Sequence, residues 1–253
     1  LGASTAEAQE NVAVAIAEQM ADYLLKGSVR NAVNVPSVSD EVLAQVGPYI
    51  TLGEMLGCLH MQISQGGVQE INIEYSGDLA SQDTNSITVA FLKGLFTPIL
   101  QDAVNYVNAP IIAEERGIKV VEAKTSRSAD FTNMIRITVK TSEGKNMLAG
   151  TVFGTKEPRL VRFNSFRLEA LPAGPMLLVH NQDVPGVIGS LATVIGAGGI
   201  NISKMVVGQE ETAKRNVILL NTNQPVSKEL LAKVKELEHI DNAMALELPA
   251  YTA

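Results

Sequence analysis

The chain is poor in the residues from which metal, redox and nucleic-acid chemistry is built. Its single cysteine, Cys58, excludes an intrachain disulfide and an iron–sulfur cluster held by this chain alone. It has three histidines, His60, His180 and His239. Cys58 and His60 stand two apart inside an expected helix and so point to different faces; a zinc site would still need two more ligands. A Cys–His nucleophilic pair would need a third, orienting group, and none can be placed. Cys58 is therefore expected in the core, His60 at a polar helix position, and His239 at a helix end, where a cation suits the dipole. Positive charge is short too: 20 Lys and Arg against 27 Asp and Glu leave a net charge of −7. With no basic cluster interleaved with aromatics, nucleic acid is not an expected partner. No apolar run nears the ~20 residues that span a bilayer, so no membrane partner is expected either. The glycine cluster Gly196-Ala-Gly-Gly199 closes a helix, whereas a dinucleotide fingerprint follows a strand and opens one. No metal and no cofactor are expected in this chain. No secretory or transit segment is visible, and a reducing, cytoplasmic setting fits the lone cysteine; an organellar address upstream of Leu1 is the alternative.

What the chain does have is length and periodicity. Its 253 residues and 46% hydrophobic content suit one large domain or two to three small ones. Toward the C-terminus an apolar run, 176–179, reads as a buried strand. A polar loop is expected over 180–183. Pro185 fits the first position of a helix, where its missing N–H costs nothing. Val187, Ile188, Leu191, Val194 and Ile195 give that helix one apolar face, and Gly198 and Gly199 end it. Strands follow at 200–207, 216–221 and 244–248. Between them lie a polar turn at 211–215 and a helix capped by Ser227, with the stripe Leu230 or Leu231, Val234 and Leu237. Strand, helix, strand, strand, helix, strand is the order of a ferredoxin-like split βαβ unit.

Upstream, Ser4 and Glu7 predict a capping box for a helix with the stripe Val12, Ile16, Met20, Tyr23 and Leu24, stopped by Gly27. An extended stretch, 29–36, follows. Further helices are expected at 39–46 and 52–64, parted by Gly47-Pro48, and at 85–100 and 103–116, kinked near Pro98 and Pro110. Alternating apolar and polar residues over 68–76 mark a half-buried strand. More strands are expected at 119–124 and 135–141, with a hairpin over 135–155 turning at 142–145, and again over 159–170. Leu-Pro-Ala-Gly-Pro, 171–175, makes a semi-rigid linker. The expected fold class is α/β of the α+β kind. A helix and segment cover 1–36, a mixed α/β domain covers 37–172, and a ferredoxin-like βαββαβ domain covers 173–253.

Three resemblances add to this. The loop Asn-Gln-Asp-Val-Pro-Gly (181–186) with Gly-Ile-Asn-Ile (199–202) resembles the ACT domain, an amino-acid-sensing module of metabolic enzymes. The opening Leu-Gly-Ala-Ser-Thr-Ala-Glu-Ala-Gln (1–9), with Asn-Ala-Val-Asn-Val-Pro (31–36), resembles the last helix of the catalytic half of D-3-phosphoglycerate dehydrogenases. Ala-Gly-Thr-Val-Phe-Gly (149–154) and Pro-Arg-Leu-Val-Arg-Phe-Asn (158–164) resemble the intervening, allosteric substrate-binding domain of the longer members. Iron–sulfur L-serine dehydratases carry a similar domain. The resemblance implies the regulatory part of a longer NAD-dependent enzyme that oxidises 3-phosphoglycerate to 3-phosphohydroxypyruvate, the first step of serine synthesis. The family's catalytic histidine would fall just before Leu1, with its other catalytic residues and cofactor fingerprint further upstream. NAD would then belong to the parent enzyme, and this chain would carry out no hydride transfer.

The helix after the 181–186 loop would turn its first N–H groups, around Gly186 and Val187, toward a carboxylate. An ammonium group needs an acceptor, which Asp183 and Asn181 can supply. The resemblance implies that the residues four and two before the loop proline, here Asn181 and Asp183, contact L-serine. It implies that Asn201 contacts the same serine from the neighbouring subunit of a homo-oligomer. Asn181 departs from the family's aromatic or imidazole, and His180 beside it is expected on the strand's other side. Plain turn chemistry is the alternative reading of Asp183 and Asn201. An anion site is implied at Arg159. A second family arginine falls at Leu171, leaving Arg162 or Arg167 to substitute, and solvated strand arginines are the alternative. Two further functions stay open: the regulatory part of an L-serine dehydratase, against which the opening helix speaks, and an ACT dimerisation module that binds no ligand.

Overall fold

The computed structural model describes residues 4–26, 40–127, 130–210 and 214–251. The expected stop at Gly27, the extended stretch 29–36 and the turn residues 211–213 lie outside the described residues. The chain divides into two compact units, Leu1–Ala44 and Gln45–Ala253. The first holds helix α1, Ala6–Lys26. Its cap is Thr5, whose hydroxyl accepts the Ala8 N–H at 3.2 Å, so the helix starts one residue later than a Ser4 capping box requires. Val12, Ile16, Met20 and Leu24 are exposed along it.

Helix α2, Asp40–Ile63, runs straight through Pro48, where the sequence predicts a break. Proline removes one helix hydrogen bond and crowds the carbonyl a turn back, about 3 kcal/mol. On the same helix Val46, Leu52, Met55, Leu56 and Leu59 are 0–1% exposed. Each such burial contributes about 1.5–3 kcal/mol, so the continuous helix is favoured. Strand β1 (Val68–Gly77) leads to α3 (Asn85–Leu100), then α4 and β2 (Lys119–Thr125). Helix α4 is only Ala109–Glu115, shorter than expected, and Pro110 sits in its first turn rather than at a kink. That is the place where a missing N–H goes unnoticed. Strands β3 (Asn133–Thr141) and β4 (Gly144–Phe153) form the expected hairpin. The expected strand over 159–170 is two, β5 (Glu157–Phe163) and β6 (Phe166–Ala170), because Asn164 turns the chain at φ 51.

The last six elements are β7 (Pro175–Gln182), α5 (Val187–Ala197), β8 (Ile202–Gln209), β9 (Arg215–Thr222), α6 (Lys228–Lys235) and β10 (Ile240–Glu247). Their order is the ferredoxin-like one read from the sequence. Two boundaries and one face moved. Residues 180–182 are strand, not loop, held by pairing with β9 and β10. Pro185 stands outside α5, whose cap is Gly186 at φ 96, a left-handed conformation that glycine adopts freely. Ile188 is 45% exposed, so the inner face of α5 is Val187, Leu191 and Ile195. Ser227 does cap α6, its hydroxyl accepting the Leu230 N–H at 3.2 Å.

All ten strands join one sheet in the order β10-β7-β9-β8-β6-β5-β4-β3-β1-β2. Among the described residues its two halves are joined by one strand pair, Arg167 on β6 with Gln209 on β8. In the C-terminal half, Leu177, Val179, Ile218 and Leu220 pack under α5 and α6. Met176, Leu178, Val217 and Leu219, on the other face, are equally buried. Asn221 fastens the linker, its Nδ2 donating to the carbonyls of Leu171 and Ala173 at 3.1 and 2.9 Å. Gln62 at the end of α2 treats β10 as a strand would: its Nε2 donates to the Glu247 carbonyl at 2.8 Å, and its Oε1 accepts the Glu247 N–H at 2.9 Å.

Helices α2 and α3 touch backbone to backbone. A methyl group at Gly57 would overlap the Phe91 carbonyl, and one at Gly94 would overlap the Glu54 carbonyl. His60 corrects an expectation here. Residues 55–60 are all buried, so this stretch of α2 has no polar face. The imidazole is 0% exposed and edge-on to Phe91, ring centroids 5.8 Å apart, with neither nitrogen hydrogen-bonded among the described residues. Burial lowers its pKa to about 3. Cys58 is core as expected, with burial raising its thiol to about 11.

Two outcomes follow from this packing. Gly57→Ala should destabilise by about 1–3 kcal/mol, since overlap with a carbonyl can be relieved only by moving a helix; an unchanged denaturation midpoint would refute the contact. For His60, the unfolded ring binds its proton near pH 6.5 and the folded one near 3, so stability falls as pH drops through that window. The loss between pH 7 and pH 5 should be about 2 kcal/mol. His60→Leu should flatten the dependence, measured as melting temperature against pH.

Candidate functional site

The end of β7, the loop after it and the start of α5 bring four of the expected residues together. Asn181 is the last inward-facing residue of β7, in line with Leu177 and Val179, and is 2% exposed. Its Nδ2 donates to the neighbouring Gln182 carbonyl at 2.7 Å, while its Oδ1 is buried and accepts nothing among the described residues. An orphaned buried acceptor costs roughly 1–3 kcal/mol unless something donates to it. Asp183 is exposed at the loop mouth. Its backbone N–H donates to the Lys214 carbonyl at 2.9 Å, tying the loop to the segment before β9. Gly186 and Val187 open α5; Gly186 is exposed and Val187 is 4% exposed. Because the helix cap is glycine, the cap residue makes no side-chain hydrogen bond to the first N–H groups.

The sequence missed one residue of this cluster. Asn216 on β9 pairs across the sheet with Asn181 and is 5% exposed. Its Nδ2 donates to Asp183 Oδ1 at 2.8 Å. The signal was there: an asparagine on the inward register of a strand whose next inward residues are Ile218 and Leu220. His180 faces the other way, as expected. Its ring lies 5.8 Å from Phe163 and 6.3 Å from Phe166, centroid to centroid. Burial lowers its pKa, and the Asp241 carboxylate opposes that. His239, at φ 66, sets Nδ1 3.2 Å from Gln182 Oε1.

Asn201 lies elsewhere. It is exposed just before β8, its N–H donating to Asn223 Oδ1 at 2.9 Å. Strand β9 measures the separation, since Asn181 pairs with Asn216 at one end and Ile202 pairs with Thr222 at the other. Six residues of strand are about 20 Å. Within one copy, Asp183 and Asn201 cannot touch the same small molecule. On its outer side β8 pairs with β6 at Gln209, and its other residues have no strand partner there among the described residues.

The arginines of the other half share a face. Arg159 pairs with Thr151 and Arg162 with Ala149, two residues apart on β4, because β5 bulges between Leu160 and Arg162. Without the bulge, a spacing of three would set them on opposite faces. Arg136 and Arg167 continue the row, opposite Ala149 and Arg162 respectively. Arg159 is ion-paired to Glu157 and lies over the Phe153 ring, 5.8 Å from its centroid. Arg162 is paired to Asp130 at 3.2 Å and Arg136 to Glu74 at 3.4 Å.

The family model described as the D-3-phosphoglycerate dehydrogenase intervening domain matches residues 45–164, and the ACT domain model matches 175–239. The chain is 38% identical to the D-3-phosphoglycerate dehydrogenase of Methanocaldococcus jannaschii over 98% of its own length and 47% of that protein's. It is 36% identical to the Archaeoglobus fulgidus protein of that name and 30% identical to the Bacillus subtilis one, each over 98% of this chain and 47% of the relative. The chain thus spans about half the length of the curated relatives it matches.

Proposed function

As the chain belongs to the D-3-phosphoglycerate dehydrogenase family through an intervening domain followed by an ACT domain, a regulatory region of that enzyme, we propose that it binds L-serine between two copies of its ACT domain and so reports serine to a parent enzyme. In that reading the parent oxidises 3-phosphoglycerate with NAD on residues outside this chain. The supporting observation is the placement of Asp183 and Asn201 at opposite ends of β9. Both can face one ligand only if a second copy supplies one of them. The part of the outer side of β8 that β6 leaves unpaired is a surface on which such a copy can pair, strand to strand. The ammonium of serine would meet Asp183 and the orphaned Oδ1 of Asn181; its carboxylate would meet the bare N-terminus of α5. Serine regulates only to the extent that it binds one arrangement of the copies more tightly than another. The arginine face of β3 to β6 is read, in the same way, as a place for an anion such as a phosphate ester.

A second reading, assembly without a ligand, draws on a specific contact: Asp183 is already hydrogen-bonded to Asn216. Calorimetry separates the two. Asp183→Ala should weaken serine binding tenfold to a hundredfold, the equivalent of a charge-assisted hydrogen bond of about 1.5–3 kcal/mol, while stability falls by only about 1 kcal/mol through the lost bond from Asn216. Asn201→Ala should weaken it by about 1 kcal/mol. Serine bound equally well by the parent and the Asp183 variant would place the site elsewhere, and a wild-type chain that dimerises but binds no amino acid would favour assembly alone.

A further inference from the structure

We propose that Asn216 is the positioning residue of the effector loop: it holds the Asp183 carboxylate at the mouth of the site and so sets affinity for the ligand's ammonium group without touching the ligand. This rests on the serine reading above and adds to it a residue on a different strand.

The geometry carries the assignment. Asp183 sits on an exposed loop between β7 and α5, where a carboxylate has many rotamers to choose from. One of its two oxygens is engaged by Asn216 Nδ2 at 2.8 Å. The other oxygen has no side-chain hydrogen bond among the described residues. Asn216 can act as a fixed post because it is buried and paired with a strand on each side. It is 5% exposed, in register with Asn181 on β7 and with Gln209 on β8. The backbone ties the same two segments together, through the Asp183 N–H and the Lys214 carbonyl at 2.9 Å. Loop and strand are therefore joined twice, once by main chain and once by side chain.

Packing alone does not account for an amide here. The positions that continue the row inward, Val179, Ile218, Leu177 and Leu220, are all hydrocarbon and all buried. A leucine at 216 would continue that core. Asn216 and Asn181 instead put two amides at the end of the row nearest the loop, and one of them, at Asn181, is left with an unmet acceptor. Buried amides that are not needed for packing, one incompletely bonded and one spent on an exposed carboxylate, are expected where polar groups must be aimed. Rigid placement lowers the entropy that binding would otherwise remove from Asp183.

A double-mutant cycle on the full chain, read by calorimetry with L-serine, tests this. Asn216→Leu should weaken serine binding about tenfold, the equivalent of one hydrogen bond to a charged group. In an Asp183→Ala background the same change should cost nothing further, because the post has nothing left to hold. A residue with a merely structural role would lose the same factor in both backgrounds, and that outcome overturns the proposal. Amide hydrogen exchange of the ligand-free chain supplies a second arm that needs no ligand. The Asp183 amide and its loop neighbours should exchange faster in Asn216→Leu than in wild type; unchanged exchange also overturns the proposal. If wild-type chain binds no serine, the serine reading fails, and the tether is then judged on exchange alone. Should Asn216→Leu melt early, Asn216→Ala, which removes the donor without adding bulk, takes its place in both arms.

Discussion

Contact between the backbones of α2 and α3 sets the position of nearly everything else in the larger unit. Two glycines, Gly57 and Gly94, let the helices meet where any side chain would collide with a carbonyl. The same helix α2 reaches the sheet at Gly150, against Leu52, and ends on β10 through the Gln62 amide. One rod therefore touches its neighbouring helix, the middle of the sheet and the last strand. Close packing of this kind does not deform smoothly; it holds or it shifts as a unit. The burial of His60 is a by-product. A helix engaged on so many sides has nowhere to keep an imidazole wet, and the ring is forced neutral.

How far the sequence could be read follows the same logic. Period-two and helical patterns were legible wherever one face met the core and the other met water, which is why β1, the β3–β4 hairpin and the whole βαββαβ order were recovered. The readings that failed rested on local signals overruled by distant ones. Gly47-Pro48 is a break in isolation, yet the burial of the residues around it sustains the helix. His180, Asn181 and Gln182 are polar, yet pairing on both sides makes them strand. Propensity counts neighbours in the chain, and these residues are decided by neighbours in space.

The site divides the same way. Asn181, Asp183 and Asn201 were singled out on the resemblance and its loop spacing, and the structure places the first two side by side and the third far off. Asn216 was passed over because it lies on a strand, away from any motif, and only the pairing of β7 with β9 brings it to Asp183. The arginines show the converse. Nothing in the spacing of Arg159 and Arg162 says that they share a face; a single bulged residue decides it.

The separation of Asp183 from Asn201 along β9 has a genetic consequence. If each site takes one half from each of two copies, a symmetric pair holds two equivalent sites and no copy owns either. A defect in one half and a defect in the other are then not equivalent to two doses of the same defect. In a mixed pair, one copy damaged at Asp183 and the other at Asn201, both lesions fall in a single composite site and the second site is assembled from undamaged halves. Two alleles, each unresponsive alone, would complement one another in the same cell, whereas two alleles damaged at the same end of the strand would not.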